Sequence, residues 1–154
     1  QLIGSMEVLD TVRAVLAQKG SEIWSVTPDV TVYNAIAMMA DRNIGAVLVM
    51  EDQSLLGLLS ERDYTRKVIL KGKQSKATKV GDIMSVDVTT VSPLDTVEHC
   101  MRLMTQKRMR HLPVLDQDKV VGVVSIGNLV NWIISVQSAA IDQMERYIGS
   151  EYPG

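Results

Sequence analysis

Two seven-residue runs hold the side chains best suited to chemistry. Gly57-Leu-Leu-Ser60-Glu-Arg-Asp63 and Gly122-Val-Val-Ser125-Ile-Gly-Asn128 each place a serine three residues ahead of a hydrogen-bond-accepting side chain. At a strand-to-helix junction, Ser-x-x-Asp is first a capping box. The serine oxygen accepts from an unpaired helix N–H, and the acidic residue caps in return. A helix N-terminus also carries free N–H groups and positive dipole character, which suits phosphate or ribose oxygens. A nearby carboxylate can accept hydrogen bonds from vicinal ribose hydroxyls. Capping alone explains one such run. Two of them facing across an internal symmetry axis would frame paired clefts, and binding then becomes the better reading.

Other chemistries find little support. His99 and His111 are the only histidines, and no Cys or acidic cluster has metal-ligand spacing, so no metal is expected. His99 falls on the outer face of an amphipathic stretch and reads as surface, whereas Cys100 falls on the apolar stripe and reads as inert core. Trp24 and Trp132 could stack on a ligand ring, but apolar packing is the first expectation for both. There is no phosphate-binding P-loop, no dinucleotide glycine fingerprint and no nucleophile elbow. An enzyme is not expected.

The two runs belong to a longer internal repeat. Sliding the chain along itself by 65 residues aligns Pro28 with Pro93, Thr31 with Thr96, Val32 with Val97 and Met39 with Met104. Val49 then meets Val114, Gly57 meets Gly122 and Ser60 meets Ser125, giving seven identities over 37 pairs without a gap. Each half reads as a short strand (residues 23–26 and 88–91), then a helix with an apolar stripe (31–43 and 96–108). Two apolar strands joined by a polar turn follow (46–50 with 55–59, and 111–115 with 120–124), and a second helix starts at Ser60 or Ser125.

The expected fold is α/β (α+β): two strand–helix–strand–strand–helix repeats packed as one pseudo-twofold body, since half-size units with an exposed apolar face pack on each other. Residues 12–71 form the first repeat and 80–137 the second. Residues 72–79 form a basic connector read as a solvated loop. Residues 1–11 are an N-terminal segment, in which Gly4-Ser5 ahead of Met6 resembles a cloning scar over 1–5 and suggests a natural start at Met6. The tail, 138–154, continues a helix whose Leu129, Ile133, Val136, Ala140, Met144 and Tyr147 share a face that needs the body or a second chain.

At 154 residues the chain is about one domain, and 46% hydrophobic with 22% charged residues is ordinary for a globular protein. Sixteen basic against eighteen acidic residues leave a charge of −2, so nothing global points to nucleic acid or an anionic membrane. No run is long enough to span a bilayer, no signal or transit peptide is seen, and one cysteine fits a reducing, cytoplasmic setting. With nine Met and no Phe, the core is expected to be aliphatic and soft.

The sequence resembles a tandem pair of cystathionine-β-synthase (CBS) domains, a Bateman module of the stand-alone bacterial type. The residues carrying the likeness are Val26-Thr-Pro28, Asn43-Ile-Gly-Ala-Val-Leu-Val49 and the Gly57–Asp63 run. In the second half they are Val80-Gly-Asp-Ile-Met84, Val91-Ser-Pro93, Arg110-His-Leu-Pro-Val-Leu-Asp116 and the Gly122–Asn128 run. The likeness implies regulatory binding of adenine nucleotides, AMP foremost, with ADP, ATP, NAD or S-adenosylmethionine as alternatives, in clefts built from both repeats. In the first cleft it implies ribose at Asp63, phosphate near Ser60 and Arg62, and adenine by Ser92, Val97, Met109 and Arg110. In the second it implies Ser125, adenine against Thr27, Val32, Ile44 and Gly45, and phosphate at His111 beside Arg110.

Two departures from the family pattern stand out. Asn128 replaces the ribose-binding acid, and Ala46 occupies the position that is His111 in the second repeat. Two unequal sites with different ligands are expected, or one site left empty. The resemblance also implies a homodimer and a regulated partner protein. The rival is a dimerising scaffold that has lost ligand binding.

Overall fold

A computed structural model describes residues 10–151, with side chains described through Ile148. The scar-like residues 1–5, the Met6 start and the last tail residues, 152–154, lie outside the described residues.

Helix α1 (Val12–Lys19) is capped by the Thr11 hydroxyl, which accepts from the Ala14 N–H at 3.3 Å. Strand β1 (Ser25–Val26) leads to α2 (Val32–Arg42), capped by Thr31 and closed by Asn43 in the left-handed region. Strands β2 (Ala46–Glu51) and β3 (Ser54–Ser60) form an antiparallel pair, followed by α3 (Glu61–Tyr64). A 3-10 turn (Ser75–Ala77) and α4 (Val80–Ile83) then lead into the second half. That half holds α5 (Val97–Lys107), β4 (His111–Asp116), β5 (Lys119–Ser125) and the long α6 (Ile126–Glu151). The 65-residue offset survives in three dimensions: caps Thr31 and Thr96, left-handed residues Asn43 and Arg108, and bulges after Val49 and Val114 all correspond.

The halves differ in two instructive ways. The strand expected at 88–91 is reduced to one parallel bridge, Val91 to Val114. In the first half the Leu48 N–H donates to the Trp24 carbonyl, but the equivalent of Leu48 is Pro113, which has no N–H to offer. The Val91 N–H to Pro113 carbonyl and Leu115 N–H to Val91 carbonyl bonds remain. Secondly, the second helix of the first half is one α turn that passes into a π turn, Thr65–Ile69, whereas α6 runs for 26 residues.

The connector is exposed through Gln74, as a solvated loop would be, but it then folds against α2. Thr78 is buried, its carbonyl accepts from the Val32 N–H, and Lys76 sits over the Tyr33 ring. The Thr31–Lys79 bridge makes this end of the connector structural.

Two apolar clusters hold the body. Val32, Ala35, Met39, Val47, Val49, Leu59 and Val68 form one, and Val80 and Ile83 of α4 complete it. Val91, Val97, Cys100, Met104, Leu112, Val114, Val124 and Leu129 form the other, completed by Val12, Val15 and Leu16 of α1. Each short helix therefore packs on the half that does not follow it in sequence. Cys100 is in the core as expected, its thiol pushed up to about 11 by burial, and His99 is exposed.

The tail face splits. Leu129 is buried and Ile133 packs on the second cluster, while Ala140, Met144 and Tyr147 are exposed. No helix among the described residues is long and apolar enough to cross a membrane.

Candidate functional site

Two clefts open between the halves, as facing strand-to-helix turns require. The larger, about 890 Å³, has one wall from Ser60, Glu61, Arg62, Asp63 and Arg66. Lys107, Arg108, Met109, Arg110 and His111 supply the opposite wall, and Ser85, Asp87, Val88 and Thr89 a third side. The smaller, about 410 Å³, lies between Asn43–Leu48 of the first half and Val123, Ser125 and Asn128 of the second, with Lys19, Gly20, Glu22, Trp24 and Arg42 also lining it. Both volumes lie in the range of small-molecule sites. Among the described residues no cluster could hold a metal ion.

The larger cleft is built on the Ser60 capping box. The Asp63 carboxylate accepts from the Ser60 N–H at 3.0 Å and the Ser60 hydroxyl at 3.1 Å, and the Asp63 N–H returns a bond to Ser60 Oγ. The other carboxylate oxygen accepts from Ser85 Oγ at 3.1 Å and lies 3.2 Å from Lys67 Nζ. Lys67 also donates to the Ile83 carbonyl at 2.9 Å, so the carboxylate is tied to the segment leaving α4. Arg62 reaches across to donate to the Arg108 carbonyl at 3.0 Å, bonding one half to the other. Five basic side chains line this cleft against the three carboxylates Glu61, Asp63 and Asp87. Anions are favoured here.

The smaller cleft repeats the cap with Asn128. Its amide oxygen accepts from the Ser125 N–H at 2.9 Å, and its backbone N–H donates to Ser125 Oγ at 3.1 Å. Lys19, Glu22 and Arg42 line it together, and Arg42 lies over the Trp24 ring at 4.2 Å from its centroid.

Of the residues singled out from sequence, Ser60, Arg62, Asp63, Met109, Arg110 and His111 come together in the larger cleft. Ile44, Gly45, Ser125 and Asn128 come together in the smaller. Four are placed elsewhere. Val32 and Val97 are the first helical residues after their caps and point into the cores. The Thr27 hydroxyl donates to Asp29, and the Ser92 N–H donates to Asp95, so both are used in the turns that start α2 and α5. Arg66, Ser85, Asp87, Val88, Thr89, Lys107 and Trp24 line clefts without being singled out as site residues by sequence. Trp24 and Thr89 share one repeat position, which is the available signal. Trp132 instead donates its indole N–H to Asp10 at 2.7 Å.

His111 and Gly45 line both clefts. A side chain at Gly45 would meet the His111 ring at 3.3 Å, so the glycine makes room for the imidazole. Burial, and secondarily the Arg110 charge, lower the His111 pKa from 6.5, which leaves the ring neutral at pH 7. Below about pH 6.5 the unfolded chain binds a proton that the folded chain resists, so stability falls as the pH falls through this range. Urea melts of wild type and His111→Gln, taken at neutral and mildly acid pH, should show the steeper loss in wild type. Equal losses would show that this ring does not contribute.

The CBS domain model matches the chain twice, over residues 13–69 and 80–135. The chain belongs to the CBS domain family. The CBS pair is 41% identical over 138 residues to the mitochondrial CBS domain-containing protein CBSX3 of Arabidopsis thaliana, covering 86% of this chain and 66% of that protein. The pair thus spans just under two thirds of that relative. A solved structure with CBS domains from Burkholderia ambifaria is 47% identical with a TM-score of 0.79, over 81% of this chain and 94% of that one. The CBS pair of protein MJ0100, solved with 5′-methylthioadenosine and S-adenosyl-L-methionine, shares the fold at 19% identity and a TM-score of 0.72, over 81% and 96% of the two chains. CBS pairs are regulatory modules, and this chain is one.

Proposed function

We propose that the larger cleft is a regulatory site for a phosphate-bearing adenine nucleotide, AMP foremost and ADP, ATP or NAD as alternatives, and that the smaller cleft is a second, unequal site. The observation carrying this reading is the convergence of Asp63 with Arg62, Arg66, Lys107, Arg108 and Arg110 from two halves of the chain on one cavity of nucleotide size. Ribose hydroxyls would replace Ser85 on Asp63, and the guanidinium groups would meet phosphate oxygens. The adenosine ligands of the MJ0100 pair support the nucleoside part. S-adenosylmethionine is the weaker candidate here because it offers the cations no phosphate.

The module would act in the cytoplasm as a homodimer, without catalysis, on a regulated partner protein. Ligand can shift its conformation only by binding one state more tightly than another.

One observation favours the scaffold reading: both the Asp63 and Asn128 oxygens already have partners in the protein. A thermal-shift panel of AMP, ADP, ATP, NAD, NADH and S-adenosylmethionine on wild type and Asp63→Ala separates the two. Ligand at a hundred times its Kd adds about 2.7 kcal/mol, or roughly 5–10 °C for a chain of this size. A shift lost in Asp63→Ala supports the sensor. No shift with any ligand supports the scaffold.

A further inference from the structure

Helix α6 starts at the smaller cleft and leaves the body. Every residue from Gln137 to Ile148 is exposed, although the helix continues through Glu151. A polar helix of this length unsupported by packing is marginal in water. Yet its exposed side chains are not polar throughout: Val130, Ile134, Ile141, Met144 and Ile148 are 39%, 54%, 55%, 65% and 53% exposed. With Gln137 they fall at successive spacings of four, three, four, three and four residues, which is the a/d seam of a coiled coil. This seam is set one residue on from Leu129 and Ile133, which pack on the body. One residue is about 100° of helix rotation, so a partner helix can lie along the seam beside the body.

We infer that α6 pairs with α6 of a second copy of this chain as a two-stranded, parallel, in-register coiled coil over residues 130–148. The period demands a helix with the same period as occupant. Gln137 is the polar break in the seam, and its amide carries both a donor and an acceptor, so in register it satisfies its own copy. Asp142, Glu145 and Arg146 lie off the seam, so identical chains bring no like charges together across it. The resulting interface is isologous and closes at two chains. It gives the module a rigid output, because the first turn of the same helix carries Asn128 and touches the smaller cleft.

This inference rests on the homodimer reading and is independent of which nucleotide binds. Sedimentation equilibrium of the full chain tests it. Wild type should weigh two chains at micromolar concentration, and Ile134→Asp/Ile141→Asp should weigh one, with Kd raised at least a hundredfold. Both positions are exposed, so the thermal unfolding of the body should persist in the variant. Met144→Cys should form a disulfide-linked dimer on mild oxidation, since in register each new thiol meets its copy, while Cys100 is buried. A monomeric wild type would overturn the homodimer reading and this inference together. A dimer that ignores the two aspartates would overturn the seam alone. A dimer sensitive to them, but with no cross-link in Met144→Cys, would overturn the parallel register.

Discussion

Asp63→Asn should leave the CBS pair folded and weaken nucleotide binding in the larger cleft by roughly 10- to 150-fold, since hydrogen bonds to a charged group contribute about 1.5–3 kcal/mol. The chain contains its own control for this substitution. Asn128 makes the same two cap bonds with Ser125 that Asp63 makes with Ser60. An amide at position 63 therefore keeps the cap. What it loses is charge and acceptor capacity on the oxygen that faces Ser85 and Lys67. Lys67 is 42% exposed, so solvent screening limits what that ion pair contributes to stability. Asp63→Ala should lose the same affinity and in addition about 0.5–1.5 kcal/mol of stability, because the Ser60 N–H loses its acceptor while the Ser60 hydroxyl still caps the N–H of residue 63. Urea melts and ligand titrations on the two variants separate binding from folding. If Asp63→Asn binds like wild type, this carboxylate does not hold the ligand.

Gly57→Ala should be among the most damaging single-methyl additions in the chain, costing about 1–3 kcal/mol and lowering Tm by several degrees. A Cβ there would lie 2.7 Å from the Ser85 carbonyl oxygen and 2.9 Å from Met84 Sδ. The backbone obstacle cannot move freely, because Leu58 and Ser85 exchange N–H to carbonyl bonds at 2.9 Å in both directions. At the equivalent Gly122 the obstacle is the Leu16 side-chain end at 2.8 Å, which can rotate away. Gly122→Ala should therefore cost distinctly less, although the two glycines occupy matching positions. Since Ser85 also lines the larger cleft and bonds Asp63, Gly57→Ala should weaken ligand there as well. Melts showing the two variants equally destabilised would contradict this asymmetry.

Much of this asymmetry is invisible in the sequence, whereas the repeat is plain. Local signals determine the repeat: apolar helix stripes, paired apolar strands around a polar turn and serine-led helix starts recur at one offset and are legible. The capping runs also locate both clefts, because a helix start has a chemical signature independent of its surroundings. Residues whose role depends on the other half are less legible. Ser85 and Asp87 lie in the second repeat without a motif of their own and Val88 opens the strand expected at 88–91, and only the crossing of α4 onto the first core brings them to Asp63. Val32 and Val97 are expected at adenine, but the first turn after each cap turns them into the cores. Pro113 is readable as a break in β-pairing, yet its cost falls 24 residues upstream, on the carbonyl of Thr89. In the tail, one stripe at helical spacing is expected, and two faces are present. The seam at Val130, Ile134, Ile141 and Ile148 shows itself only once Leu129 and Ile133 are known to face the body.

The central claim is that this CBS pair holds two unequal ligand sites, one of them dependent on Asp63. Isothermal titration calorimetry of AMP, ADP, ATP and NAD into wild type and Asp63→Asn tests it most directly. Saturable binding by at least one of these nucleotides, with the component in the larger cleft weakened at least tenfold in Asp63→Asn and any second component unchanged, is the predicted result. No saturable heat with any of them, or titrations identical in the two proteins, would contradict the account.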